Sequence, residues 1–158
     1  MGQVLARKEL TLWTEKWRKQ NLRIVLTNGC FDILHVGHVR SLKEAKSFGD
    51  ILVVGLNSDK SVRNLKGETR PIISEIDRAE LIAALNPVDF VTVFNEKTAT
   101  ELIKIIKPRF YVKGGDYTID NLPERDILLQ YQVEVKFIPL VFGVSTTELV
   151  NKIKKANI

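Results

Sequence analysis

With one cysteine in 158 residues, no intrachain disulfide can form, and Cys30 suits a reducing compartment, taken here as the cytoplasm. Histidine is nearly as scarce, with two in the chain. Neither GxxxxGK(S/T) nor GxGxxG occurs, which argues against a P-loop ATPase or a dinucleotide-binding protein. No apolar run approaches the roughly 20 residues of a membrane span. The opening MGQVLARKELTLWTEKW lacks both the unbroken apolar stretch and the small-residue cleavage site of a signal peptide. Gly2 invites comparison with a myristoylation site, but position 6 is Ala where Ser or Thr is wanted. No membrane partner is expected.

Charge of one sign does not accumulate either. The formal charge is +5, but the cations are scattered: Arg7, Lys8, Lys16, Arg18 and Lys19 near the start, Lys152, Lys154 and Lys155 near the end. Aromatics do not interleave with them as in a base-stacking groove, so nucleic acid is not the expected partner. A mildly basic protein that handles polyphosphates fits better. The remaining composition, 44% hydrophobic and 27% charged, is that of an ordinary globular chain. Its length suits one three-layer domain over 1–158, with a first helix at about 6–19 and a core at about 22–153.

Five β-rich runs alternate with helical patterns. Strands are predicted at Arg23–Thr27, Ile51–Leu56, Asp89–Phe94, Arg109–Lys113 and Glu134–Ile138, several of them nearly continuous in branched apolar residues. Helices are predicted near Ala6–Lys19, Val36–Phe48, Asp59–Leu65, Glu75–Leu85, Thr98–Ile106, Pro123–Tyr131 and Thr146–Lys155. Such alternation predicts a doubly wound α/β fold around a five-stranded parallel sheet. TNGCFD, Asn57 with Asp59, Asn95, KGGDY and GVSTTE then all fall at carboxyl ends of strands, on the rim where open parallel sheets bind ligands.

The sharpest signal is TNGCFDILHVGH, residues 27–38. Both histidines, His35 and His38, lie here three apart around Gly37 at a predicted helix start, a spacing that puts two imidazoles on one helix face. Gly37 removes a side chain where a phosphate must approach the backbone, and free amides at a helix start favour an anion. Two imidazoles can donate to phosphate oxygens whose charge changes in a transition state. A capping histidine beside a satisfied core histidine is the competing explanation. Dedicated zinc is not expected from Cys30, Asp32, His35 and His38, because structural zinc usually takes four Cys or His ligands.

These residues resemble the HxGH nucleotidyltransferases, a superfamily related to class I aminoacyl-tRNA synthetases; no KMSKS-like loop or tRNA-binding appendage is evident. Read from TNGCFDILHVGHVRSL through VGLNSD, LKGETRPI, AALNPVDFV, KGGDY and GVSTTELV, the chain is similar over residues 22–153 to the adenylyltransferases that make ADP-heptose from heptose 1-phosphate. The resemblance implies a Rossmann-like fold, transfer of AMP from ATP to a phosphorylated sugar, release of pyrophosphate, and a homo-oligomer. Many relatives fuse this domain to a sugar kinase; with no kinase half in this sequence, a separate kinase is expected upstream. Related cytidylyltransferases carry arginines before the last-motif glycine and before the Val-Asp pair; PLVFGVSTT and NPVDFV have neither, which favours an adenylyl donor.

The same resemblance implies residue roles. His35 and His38 bind triphosphate oxygens, with Gly37 giving access. Cys30 and Phe31 lie under the α-phosphate, and Asp32 orients the substrate or a Mg²⁺ ion. Lys66 and Arg70 fold over the phosphates as further catalytic cations, and Arg78 joins Asp32 and Asn57 on the substrate side. Lys113, Gly114, Gly115 and Asp116 meet the nucleotide, although Gly-Gly-Asp is also an ordinary tight turn. Ser145, Thr146 and Thr147 open the last helix, where Ser145 and Glu148 form a capping box and the helix start meets phosphate. Mg²⁺ is expected through the phosphates, with no protein metal site. Other phosphorylated acceptors (glycerol phosphate, phosphocholine-like compounds, FMN, nicotinamide mononucleotide, phosphopantetheine), a non-catalytic nucleotide-binding module and a nucleic-acid-binding protein are the competing readings.

Overall fold

The structure, a computed structural model, describes residues 1–115, 117–139 and 145–156. Asp116 and the VFGV stretch before Ser145 therefore lie outside the described residues. Six parallel strands form one sheet: β1 (Gln3–Val4), β2 (Ile24–Gly29), β3 (Ile51–Asn57), β4 (Phe90–Phe94), β5 (Phe110–Gly114) and β6 (Glu134–Ile138). Their order is β1-β4-β3-β2-β5-β6. The strand missing from the five-stranded expectation is β1, a two-residue edge strand paired with Phe90 and Val91. Two residues are too few to show a period, so pairing partners alone define it. Strand β2 also runs further than predicted, because Asn28 and Gly29 continue its ladder opposite Gly55 and Leu56.

Among the described residues, seven α-helices cover the sheet: α1 (Arg7–Lys19), α2 (Val36–Ser47), α3 (Asp59–Lys66), α4 (Glu75–Ala83), α5 (Thr100–Ile106), α6 (Arg125–Gln130) and α7 (Thr146–Lys155). All seven fall on expected helices, with ends trimmed or extended by up to two residues. Local chemistry sets several boundaries. The Ser58 and Ser74 hydroxyls cap α3 and α4 by accepting from Ser61 N and Asp77 N. Gly67, at φ 97°, ends α3 in a conformation that a side chain disfavours.

Alternate strand residues feed opposite faces, as the period of two requires. Ile24, Leu26, Val53 and Tyr111 pack with Leu10 and Trp17 of α1, Leu102, Ile103 and Ile106 of α5, and Leu128 of α6. On the other face Val25, Leu52, Val54 and Val112 meet Leu42 and Ala45 of α2 and Ala79 and Ile82 of α4. Helix α1 is fastened at both ends, by Arg7 to Glu96 and by Arg18 Nη1 donating to Ile106 O. This three-layer body places the carboxyl ends of β2 and β5 side by side where the strand order reverses, and a ligand crevice belongs there. Among the described residues, no helix is long and apolar enough to cross a membrane.

Candidate active site

The loop leaving β2 is shaped by one glycine and one strained residue. A Cβ on Gly29 would sit 3.0 Å from Phe31 Cε2, so the missing side chain lets the Phe31 ring lie against the strand end. Phe31 itself has φ 46°, a left-handed conformation that costs a bulky residue free energy. Its ring centroid then lies 5.1 Å from that of His38. Backbone strain is thus used to set the wall beside a histidine.

His35 is not on the helix, contrary to the simple spacing argument. It is the N-cap of α2, with φ −145° and ψ 169°, and its side chain makes no capping hydrogen bond. His38 lies in the first turn, and the two rings still meet, stacked at 3.8 Å between centroids and 21° between planes. Nδ1 of each ring is buried with no hydrogen-bond partner among the described residues. Neither ring is therefore a satisfied core histidine or a side-chain cap. The Val36 and Gly37 amides, at the helix start, likewise have no acceptor among the described residues. Two imidazoles and two open amides converge on a helix N-terminus, an arrangement suited to an anion with several oxygens.

Burial favours the uncharged form of both rings in the free protein, against the opposing pull of Glu148 on His35. Burial, then His35 and Lys66, pushes His38 down to about 4, and burial lowers His35 as well. Burial also raises the Cys30 thiol, against the pull of Lys66, Arg78 and Lys113. Cys30 is accordingly a protonated thiol at neutral pH, not an activated nucleophile.

Three residues expected to meet the substrate are occupied by the protein. Asp32, 1% exposed, accepts from Ile72 N and Ile73 N through Oδ1 and from Arg70 Nη1 at 2.5 Å through Oδ2. It pins the 67–74 loop to the loop after β2 and draws the Arg70 guanidinium with it. Arg78 is completely buried; it donates to Ile73 O, Cys30 O, Asn57 O and Asp59 Oδ1 at 2.5–2.9 Å. Asn57, also buried, gives its carbonyl to Arg78 and its amide to Ser61 Oγ at 3.0 Å. Buried polar groups need partners, and these have found them inside the chain. Asp32, Asn57 and Arg78, expected on the substrate side, build the rim through partners inside the chain.

Arg70 is paired with Asp32, whereas several other expected residues lie at the open ends of helices and strands. Lys66, exposed at the end of α3, is close enough to depress the titration of His38. Ser145 caps α7 by accepting from Glu148 N at 3.1 Å, and Thr146 Oγ1 lies 3.5 Å from Ile33 O, joining the α7 start to the histidine loop. Thr147 is exposed beside them. At the end of β5, a Cβ on Gly114 would meet nothing nearer than Ile138 O at 4.0 Å, whereas Gly115 turns the chain at φ 108°. Lys113 is half-buried and points to Asn28 Oδ1 at 3.3 Å. Asn28, Tyr111 and Glu124, a buried polar group behind Lys113, were not singled out from sequence. Tyr111 reads there as an ordinary strand residue, and Asn28 offers only its place in TNG as a signal. Among the described residues, no cluster of three or more His, Cys, Asp or Glu side chains is set to hold a metal ion.

The family model described as Cytidylyltransferase-like matches residues 26–154, from β2 to α7. The chain belongs to the cytidylyltransferase-like family. It is similar to the bifunctional protein HldE of Geobacter sulfurreducens, 51% identical over 139 residues that make up 88% of this chain and 28% of that protein. The HldE protein of Koribacter versatilis is 47% identical over 151 residues, 96% of this chain and 31% of that protein. The chain thus spans less than a third of the length of these curated relatives. A solved lipopolysaccharide core biosynthesis protein from Thermoplasma volcanium superposes with a TM-score of 0.62 at 32% identity, covering 76% of this chain and 97% of that one. In this family member the histidines, the Phe31 loop and the Arg78 clamp all lie within the matched span.

Two measurements check the site as described. Arg78→Met leaves Asp59 and three carbonyls without their donor, and unfolding in urea should show a loss of about 3–5 kcal/mol. A loss under about 1 kcal/mol would contradict the clamp. For His38, the folded value near 4 lies below the ordinary 6.5, so the unfolded chain binds the extra proton as pH falls through that window. Stability should drop more steeply from pH 6.5 to 4.5 in the wild type than in His38→Gln; parallel profiles would contradict a neutral, desolvated His38.

Proposed function

We propose that the chain transfers AMP from ATP to the phosphate of a sugar 1-phosphate, heptose 1-phosphate foremost, and releases pyrophosphate. The observation that carries this reading is the stacked, uncharged His35–His38 pair at the open start of α2. The acceptor rests on the resemblance of LKGETRPI, KGGDY and STTELV to the ADP-heptose branch, and the similarity to the HldE proteins supports it.

The acceptor phosphate, whose second pKa is about 6, is already largely ionised at neutral pH. It needs neither a protein nucleophile nor a strong base. One of its oxygens bonds to the α-phosphorus of ATP while the bond from that phosphorus to the bridging oxygen breaks. The electron pair leaves with pyrophosphate, and no net proton transfer is required. His35, His38 and the α2 amides donate to the triphosphate oxygens, and Lys66 adds charge where pyrophosphate departs. Gly37 lets the phosphates approach the helix. Arg70 is held by Asp32 at the edge of the same loop, where its role is to position that loop. Mg²⁺ arriving with ATP would supply neutralising charge at the phosphates, held by ATP itself, since Asp32 is already engaged by Arg70 and the Ile72 and Ile73 amides. Positioning and charge stabilisation account for the catalysis.

Pyrophosphate release with ATP, Mg²⁺ and a panel of phosphorylated acceptors, both heptose 1-phosphate anomers included, tests the reading. Turnover with a heptose 1-phosphate is expected; turnover confined to another acceptor would overturn the substrate, and no turnover with any acceptor would overturn the activity. Within that assay His38→Ala should lower kcat by about 100-fold or more, the scale of losing a transition-state donor. Cys30→Ser should keep substantial activity; complete loss in a folded variant would contradict the inert thiol.

A further inference from the structure

We infer that Lys113, steered by Asn28 across the gap between β2 and β5, binds the phosphate of the acceptor on the far side of the reacting phosphorus from the histidine pair. The inference rests on the adenylyl-transfer reading above and adds the acceptor's own binding group.

Strand register sets the arrangement. Thr27 pairs with Val112, so the next residues, Asn28 and Lys113, stand together where the strand order reverses. Asn28 Oδ1 accepts from the Tyr111 hydroxyl at 2.6 Å and lies 3.3 Å from Lys113 Nζ. Two donors on that oxygen fix the amide orientation and leave its nitrogen as a further donor into the crevice. Lys113 Nζ also lies 5.2 Å from the Tyr117 ring and 5.9 Å from the Tyr111 ring. These contacts hold the ammonium without neutralising it. Among the described residues no carboxylate forms an ion pair with Lys113, although Glu124 lies close enough to favour its charge. Burial pushes its titration below the usual lysine value, the mark of a cation partly stripped of water. Gly114, next in the chain, leaves open space in which an anion can approach.

The fold also gives Lys113 a place of its own. Lys113 lies at the end of β5, whereas His35 and His38 open α2 beyond the loop that leaves β2, and Cys30 of that loop feels both Lys66 and Lys113. Entering and leaving oxygens must lie on opposite sides of the α-phosphorus. With the histidines, the α2 amides and the α7 start assigned to the leaving pyrophosphate, the cation at the end of β5 is assigned to the entering phosphate. Tyr111 and Asn28 act as positioning residues for it.

Steady-state kinetics on the full chain separate this from a nucleotide-binding role. Lys113→Met should raise KM for heptose 1-phosphate by about 10- to 100-fold, the range for losing a charged hydrogen bond, with KM for ATP changed less than about threefold. Lys113→Arg should recover most of the loss, which a merely structural role would not require. A raised KM for ATP with an unchanged acceptor KM, or no change in either, would overturn the inference. Labelling of the wild type by pyridoxal 5′-phosphate and borohydride, mapped by mass spectrometry, decides the matter without turnover. Lys113 should be modified and protected by inorganic phosphate but not by ATP. Protection by ATP alone, or by neither, would overturn it. If the acceptor panel shows no turnover while phosphate still protects Lys113, the adenylyl-transfer reading fails and the anion site stands.

Discussion

Arg78 has no exposed surface, yet its guanidinium reaches four separate pieces of the rim: the loop after β2, the end of β3, the start of α3 and the segment before α4. A planar fork of donors is the one side chain that can do this from a single point. Asp32 makes the reciprocal connection, collecting two amides and Arg70 from the 67–74 loop. Together they fix the Cys30–Phe31 turn, and that turn sets the wall against which His38 rests. A charged group buried without partners would be costly, so the rim must close around Arg78 in this one way or leave it unsatisfied.

The chemistry follows from what this closure leaves open. At the start of α2, the inner nitrogens of the histidine pair and the first amides of the helix have no partner among the described residues, a set that suits polyphosphate. Lys113, on the other side of the β2–β5 gap, points to a second anion. Burial holds the one cysteine of this loop as a neutral thiol. Donors without an activated nucleophile are what the proposed transfer between two phosphates requires, since in it the substrates would supply both the reacting oxygen and the leaving group.

Much of this was readable in the sequence because it depends on local signals. Strand and helix alternation gave the layers, and TNGCFDILHVGH located the rim. Strand β1 was not readable, since two residues paired at an edge carry no pattern of their own. Burial was not readable either. Asp32, Asn57 and Arg78 are polar residues near a motif, and sequence cannot tell a polar group that faces a ligand from one that satisfies its neighbours; burial decides, and burial is a property of the fold. Asn28, Tyr111 and Glu124 were missed for the converse reason. The meaning of Asn28 and Tyr111 lies in register across β2 and β5, between residues more than eighty positions apart, and that of Glu124 in its burial at the N-cap of α6.

In the proposed reaction a single in-line displacement takes place at the α-phosphorus, with no adenylyl group ever attached to the protein. Its most direct test is the stereochemical course with ATP bearing a chiral α-thiophosphate, read by phosphorus NMR of the sugar nucleotide product. One displacement inverts the configuration at phosphorus, and inversion is the result expected here. Retention would require two displacements through a covalent adenylyl-enzyme, and would contradict the account.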